Sequence, residues 1–216
     1  MSNNSFFQFL HPTTILISGP TRSGKTSFVV KCIKHHVFHP MPQRIIWFYK
    51  EWQENYEQIR QSYPALEFVH GTDFQILNGI QQNEINLVII DDLMSEAAQS
   101  KKISNIFTQE SHHRNLSLIL IVQNFFNHGK EMRTISLNAH YLVLYKNPRD
   151  KTQVRTISYQ IFPTNPKFLG NLFEHATSSP YSYLIIDLHP ETREEHRILT
   201  KIFPPERIKY YVPENV

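Results

Sequence analysis

The chain has 216 residues, with 22 Lys and Arg against 19 Asp and Glu, a formal net charge of +3. That length fits one domain, or one core with a small appendage, and a composition 40% hydrophobic and 12% aromatic can bury a sizeable core, which excludes wholesale disorder. The single cysteine, Cys32, excludes an intramolecular disulfide and a cysteine-rich zinc site and suits a reducing compartment, while the +3 charge permits a nucleic-acid partner without demanding one.

In chain order, residues 1–12 read as an N-terminal segment. Met1 to Leu10 carries aromatics but no basic region, so no secretory signal is expected. From residue 13 to 189, apolar runs of strand length alternate with segments of helical period. A strand Thr14–Ser18 is followed by a helix over Lys25–Val37, with Phe28, Val29, Cys32, Ile33 and Val37 on one face. His35 and His36 close its exposed end, where a cationic imidazole suits the helix dipole. A strand Arg44–Tyr49 precedes a helix Trp52–Tyr63, which Pro64 stops. A strand Leu66–His70, a helix Phe74–Gln82, a strand Asn86–Asp91 and a helix Ser95–His112 come next. Strand Ser117–Gln123, helix Met132–Asn138, strand Tyr141–Tyr145, helices Lys151–Ile161 and Lys167–Ala176 and strand Tyr183–Asp187 complete the core. The uncharged apolar run from Leu116 to Phe126 is too short to span a bilayer, so no membrane partner is expected. Residues 190–216 are expected to be an extension packed on the core as a lid or arm. Leu87–Ile90 and Leu118–Val122 are apolar on both faces, as a parallel sheet covered by helices requires. The predicted architecture is an α/β three-layer sandwich with a mostly parallel central sheet and helices on both faces.

Two of the six glycines, Gly19 and Gly24, fall in Ile15-Leu-Ile-Ser-Gly-Pro-Thr-Arg-Ser-Gly-Lys-Thr26, which fits strand, G-x-x-x-x-G-K-S/T, helix. The glycines let the backbone curl so that successive N–H groups across Gly19, Pro20, Thr21, Arg22, Ser23, Gly24, Lys25, Thr26 and Ser27 can face the β- and γ-phosphates of a nucleotide. The next helix aims its dipole at the same charge. Lys25 adds a cation between those phosphates, and the Thr26 hydroxyl ligates Mg²⁺. ATP and Mg²⁺ are therefore the expected cofactors.

Leu87-Val-Ile-Ile-Asp91-Asp92 puts two acids at the end of a buried strand, where α/β proteins bind ligands. Asp91 is expected to hold the metal, and Asp92 to polarise the attacking water. ATPases of this pattern usually carry Glu after the metal-holding Asp, so Glu96 is a second candidate for the base. Two strand candidates lie between the phosphate-loop strand and this one, which fits the P-loop division of motors and helicases, in which an additional strand is inserted between the two. The strand ending at Gln123-Asn124 brings neutral amides that can orient water. Gln123 is the first choice as sensor, and Asn124 the second. Fast turnover asks for an arginine, worth roughly a thousandfold or more. Arg22, inside the loop, suits the nucleotide of its own subunit. Arg114, ahead of Arg133 and Arg149, is ranked first to act on a neighbour's site. His112 and His113 point apart on any regular element and are read as surface or interface residues rather than metal ligands.

These residues carry a resemblance. Ile17–Thr26, Trp47-Phe-Tyr-Lys-Glu-Trp52, Val88-Ile-Ile-Asp-Asp-Leu-Met94, Ser111-His-His-Arg-Asn115, Ile121-Val-Gln-Asn124, Arg133-Thr-Ile-Ser-Leu-Asn-Ala-His-Tyr141, Lys146-Asn-Pro-Arg-Asp150 and Pro180–Asp187 together resemble the genome-packaging ATPases of the FtsK–HerA superfamily. The version it is most similar to is that of polintons (mavericks), adintoviruses and virophages, related to the poxvirus packaging ATPase. The resemblance runs from about Leu10 to Pro213. It implies a homo-oligomeric ring, pentamer or hexamer, that hydrolyses ATP between subunits and translocates double-stranded DNA into a capsid at a portal vertex. It also implies an infected cell, nucleus or cytoplasmic viral factory, and an association with the virion. Lys101-Lys102 and Lys130 with Arg133 are the local candidates for contacting DNA.

Two rivals share the loop. A nucleoside-type small-molecule kinase would normally show an arginine-rich lid, for which Lys146–Arg155 is the only comparable cluster. A nucleotide-gated scaffold for capsid assembly would bind ATP without turnover. A GTPase is disfavoured, since Asn147-Pro-Arg-Asp150 lacks the lysine of the base-reading Asn-Lys-x-Asp. The motifs extend from residue 19 to 150, so sequence specificity and capsid attachment are expected from oligomer surfaces or partner proteins.

Overall fold

The computed structural model describes residues 7–63, 66–97, 99–111, 114–124 and 129–212. His112 and His113, read above as interface residues, lie outside them, as do the ends of the chain.

Eleven strands and seven α-helices are found among the described residues. The strands are β1 (Phe9–Leu10), β2 (Thr14–Ser18), β3 (Phe38–His39), β4 (Arg44–Tyr49), β5 (Leu66–His70), β6 (Asn86–Asp91), β7 (Leu116–Val122), β8 (Tyr141–Tyr145), β9 (Tyr183–Asp187), β10 (Ile198–Thr200) and β11 (Lys209–Tyr210). The helices are α1 (Lys25–Lys34), α2 (Glu54–Ser62), α3 (Met94–Ala97), α4 (Lys101–Asn105), α5 (Gly129–Asn138), α6 (Thr152–Ile161) and α7 (Pro166–Ala176). Nine strands form one sheet in the order β11-β10-β9-β8-β2-β7-β6-β4-β5. The run from β8 to β5 is parallel, and β9, β10 and β11 add antiparallel pairings beyond β8. β1 and β3 pair separately as a short parallel ribbon.

Alternate residues of each strand feed two cores. Leu16, Phe48, Val88, Ile90, Leu118 and Leu120 face α4 to α7, through Ile103, Met132, Ile135, Ile157, Leu169 and Phe173. Ile15, Ile17, Trp47, Leu87, Ile89, Ile119 and Ile121 face α1 and α2, through Phe28, Val29, Cys32, Ile33, Tyr56 and Ile59. Strands with apolar side chains on both faces need cover on both sides, and the outcome is a three-layer α/β sandwich. Among the described residues no helix is long and apolar enough to cross a membrane.

The additional strand between β2 and β6 is β7, which comes later in the chain. β4 and β5, which lie between the two in sequence, sit on the far side of β6. The helices differ from expectation at their ends. α1 stops at Lys34 because His36 adopts φ 54°, and its N–H and that of Val37 turn back to Ile33 O at 3.1 Å and Cys32 O at 2.9 Å. The segment expected as one helix from Ser95 breaks at Ser100, whose hydroxyl accepts from Ile103 N–H at 3.3 Å and starts α4 afresh. α4 then widens into a π-helical stretch, Ile106–Glu110. Residues 74–79 form a 3₁₀ helix, with the Asp73 carboxylate accepting from Gln75 N–H. The tail beyond residue 190 supplies β10 and β11 to the central sheet.

Candidate active site

The parallel strands end together. Ser18 of β2 lies beside Val122 of β7 on one side and Leu144 of β8 on the other, and Asp91 of β6 lies beside Ile121 of β7. A cleft of about 680 Å³ opens at this edge, lined by the loop from Thr21 to Ser27 and by Asp91, Asp92 and Gln123. The sequence separates these side chains by up to a hundred residues, and the order β2-β7-β6 brings them to one cleft.

The loop's backbone explains its glycines. Gly24 has φ 102°, in the left-handed region, and precedes α1 directly. A Cβ on Gly19 would come within 2.5 Å of Tyr145 Cβ, so nothing larger than glycine fits against β8 there. Arg22 (φ 64°) and Asp92 (φ 57°) also take the left-handed conformation at this site. The buried Ser23 hydroxyl has no hydrogen-bond partner among the described residues, which suits a loop built to receive an anion. Lys25 Nζ donates to Gly19 O at 2.7 Å and Pro20 O at 2.9 Å, so its ammonium is held over the loop. Burial lowers the Lys25 pKa, and the nearby Asp91 and Asp92 carboxylates oppose that shift.

Asp91 is 3% exposed. Burial raises its pKa, and hydrogen bonds from Tyr56 and Thr26 together with Lys25 pull it back. Thr26 Oγ1 donates to Asp91 Oδ2 at 2.9 Å, and Tyr56 OH donates to the same oxygen at 2.8 Å. A threonine hydroxyl and a carboxylate in contact, beside a phosphate loop, are hard oxygen donors of the kind Mg²⁺ takes. Asp92, by contrast, is exposed.

Gln123 is exposed at the end of β7, and its backbone carbonyl accepts from Ser18 Oγ at 3.3 Å. The same hydroxyl is 2.9 Å from Gln153 Oε1, a buried amide on α6. Asn124 Nδ2 donates to Asp150 Oδ2, and Asp150 Oδ1 accepts from Thr152 N–H at 2.8 Å at the start of α6. The amides after β7 are thus tied to the Asn147–Asp150 turn.

Arg114 is placed elsewhere. It precedes β7, at the opposite edge of the sheet, about 20 Å from the cleft at ~3.3 Å per residue. Its guanidinium donates to Leu77 O at 3.1 Å. Arg149 is exposed in the turn after β8, at the same end of the parallel strands as the cleft, and Arg133 is exposed on α5. Glu96 is only partly exposed, on α3, with its carboxylate taken by the Ser95 hydroxyl at 2.6 Å. Lys101 on α4 and Lys130 and Arg133 on α5 share two helices that pack together, and Lys102 donates to Asn78 Oδ1 at 2.6 Å.

Two features escaped the sequence reading. Tyr56 reaches Asp91 from α2. The cleft is also lined by aromatic side chains, Phe28, Tyr181, Tyr183 and Phe203, together with Lys31. Tyr183 opens β9 and Phe203 follows β10, so the antiparallel return carries both to the cleft's edge. Tyr181 takes φ 61°, costly for a bulky residue, and its ring lies beside Gly24. Positive φ at a tyrosine has no sequence signal.

No family model and no curated protein matches the chain. Solved structures do. The genome packaging NTPase B204 from Sulfolobus turreted icosahedral virus 2 in complex with ATP-gammaS superposes with TM-score 0.58 at 16% identity, over 94% of this chain and 98% of that one. Its complex with AMP gives TM-score 0.57 at 16% identity, over 90% and 98%. B204, the DNA-packaging ATPase from Sulfolobus Turreted Icosahedral Virus, gives TM-score 0.58 at 14% identity, over 94% and 98%. At such identities the likeness is one of fold, and it spans nearly the whole of both chains.

Proposed function

We propose that this chain is an Mg²⁺-dependent ATPase that translocates double-stranded DNA into a capsid, working as a homo-oligomeric ring. The observation that carries the catalytic part is the convergence of Lys25, Thr26 and Asp91 at one edge of the sheet, with Thr26 Oγ1 2.9 Å from Asp91 Oδ2. Lys25 and the loop N–H groups hold the β- and γ-phosphates. Thr26 and Asp91 hold the metal, which supplies charge neutralisation at the phosphates. Asp92, exposed beside Asp91, takes the proton of the attacking water, and Gln123 orients that water from the neighbouring strand. Tyr183 and Phe203, aromatic side chains lining the same cleft, would take the nucleobase.

Support for packaging comes from the likeness in fold to viral genome-packaging NTPases along almost the whole chain and from the sequence runs of the polinton, adintovirus and virophage type. In a ring the arginine that stabilises the transition state comes from a neighbour. Arg149, exposed after β8 at the strand ends where the cleft opens, is better placed for that than Arg114, whose guanidinium is engaged by Leu77 O. Lys101, Lys130 and Arg133 are the candidates for contacting DNA phosphates. The work is done in an infected cell, in the nucleus or a cytoplasmic viral factory, with a portal or capsid vertex as partner.

ATP turnover of the purified chain with and without linear duplex DNA tests this reading. Mg²⁺-dependent hydrolysis stimulated by DNA is expected. A phosphorylated nucleoside as product would establish a kinase instead, and ATP binding with no hydrolysis in the presence of DNA and capsid would establish a scaffold.

A further inference from the structure

The phosphate-loop motifs do not call for Tyr56. It lies in the first turn of α2, fully buried at 0% exposure, with its hydroxyl 2.8 Å from Asp91 Oδ2. Its ring is fixed by aromatic neighbours, with the centroids of Phe68, Trp47 and Trp52 at 5.0, 5.1 and 5.5 Å. The hydroxyl therefore has little freedom to point elsewhere.

A buried carboxylate that is to face a cation needs donors that satisfy it and fix its orientation. Two hydroxyls meet that need here, and both use the same oxygen. They are not equivalent. Thr26 offers its own oxygen to the metal. Tyr56 does not, so its O–H can go on donating to Asp91 whatever Asp91 holds. Outer partners of this kind set the orientation of a metal ligand and are worth about tenfold or more in metal affinity.

We propose that Tyr56 is a positioning residue that holds the Asp91 carboxylate in place for the divalent cation that accompanies ATP. The proposal rests on the reading of Asp91 as the metal-holding acid. A tyrosine that only filled the core would change stability and leave metal affinity alone.

The test is Mn²⁺ binding, read by electron paramagnetic resonance on the full chain saturated with a non-hydrolysable ATP analogue. Tyr56→Phe keeps the ring and removes the hydroxyl, and should weaken Mn²⁺ binding about tenfold. Binding of the nucleotide alone, in chelator, should be unchanged. Tyr63→Phe is the control. That residue closes the same helix and donates to Ile33 O at 3.0 Å, away from Asp91, so its loss should leave Mn²⁺ binding at the wild-type level. Should Tyr56→Phe fail to fold, Tyr56→Met makes the same comparison with a flexible apolar side chain. Wild-type Mn²⁺ affinity in the Tyr56 variant, alongside a loss in Asp91→Asn, overturns the proposal and leaves the ATPase reading standing. An equal loss in Tyr63→Phe also overturns it, by making the effect one of helix packing. Wild-type affinity in Asp91→Asn overturns the assignment of Asp91 itself.

Discussion

Gly19 and Asp92 show how single residues act at this site. Gly19 approaches β8 so closely that a methyl group would meet Tyr145 Cβ at 2.5 Å, and Cβ sits too near the backbone to swing away. Gly19→Ala should therefore cost about 1–3 kcal/mol, the usual range for overpacking, and should displace the loop that holds Lys25. Thermal unfolding and nucleotide titration of the same protein check both effects. Asp92 makes a different prediction because it is exposed and follows Asp91, the acid proposed to hold the metal. Asp92→Asn should leave ATP binding intact and slow hydrolysis by about 10²–10⁴-fold, as loss of a general base does. Steady-state turnover beside equilibrium binding measures the split, and unchanged turnover would transfer the role to another group such as Glu96. These residues were legible in the sequence because the loop and the acid pair are local patterns. Tyr56, Tyr181, Tyr183 and Phe203 were not, because no spacing in the chain encodes which strands become neighbours.

Elements tell the same story at a larger scale. Strands such as Thr14–Ser18 and Asn86–Asp91 have the same bounds in sequence and structure, since a continuous apolar run flanked by polar residues can be buried in only one way. Helix ends depend on events a periodicity cannot register, namely a left-handed His36 after α1 and a hydroxyl of Ser100 before α4. The strands β10 and β11 were hidden by their shortness and by a proline-rich context, and only their pairing with β9 reveals them. One junction between elements carries a pH dependence. His11, between β1 and β2, has Nδ1 2.7 Å from Ser117 Oγ and Nε2 2.9 Å from Asn115 Oδ1, at the start of β7. Burial lowers its pKa below the ordinary 6.5, outweighing the Asn115 hydrogen bonds that raise it. The unfolded chain therefore takes up this proton first. The contribution to stability is complete above the unfolded value and is lost as pH falls through it towards the lowered folded value. Urea unfolding from pH 7.5 to 5 should show stability falling on the acid side, and His11→Gln should flatten that slope while lowering stability at pH 7.5. Identical slopes in the two proteins would remove His11 as the cause.

At the scale of the whole molecule, the position of the arginines decides whether one subunit can work alone. The cleft has its own lysine, acids and amide, but Arg114 is a sheet's width away and Arg149, though on the same edge, is exposed. An arginine supplied by a neighbour contributes roughly a thousandfold or more to turnover. Arg149→Ala should therefore abolish most hydrolysis while leaving ATP binding unchanged, and Asp92→Asn should do the same for a different reason. Mixing the two in equal amounts separates the cases. In a ring built from heterologous contacts, a site with an intact Asp92 can face a neighbour with an intact Arg149, and random assembly gives that pairing at about a quarter of the interfaces. Turnover should then recover to about a quarter of wild type if sites fire independently. The same mixture made with Arg114→Ala in place of Arg149→Ala should reach about half of wild type, the share of sites with an intact Asp92, because that guanidinium serves the fold of its own subunit. Recovery in the Arg114 mixture and none in the Arg149 mixture would reverse the assignment. No loss in either single variant would direct the search to Arg133, exposed on α5.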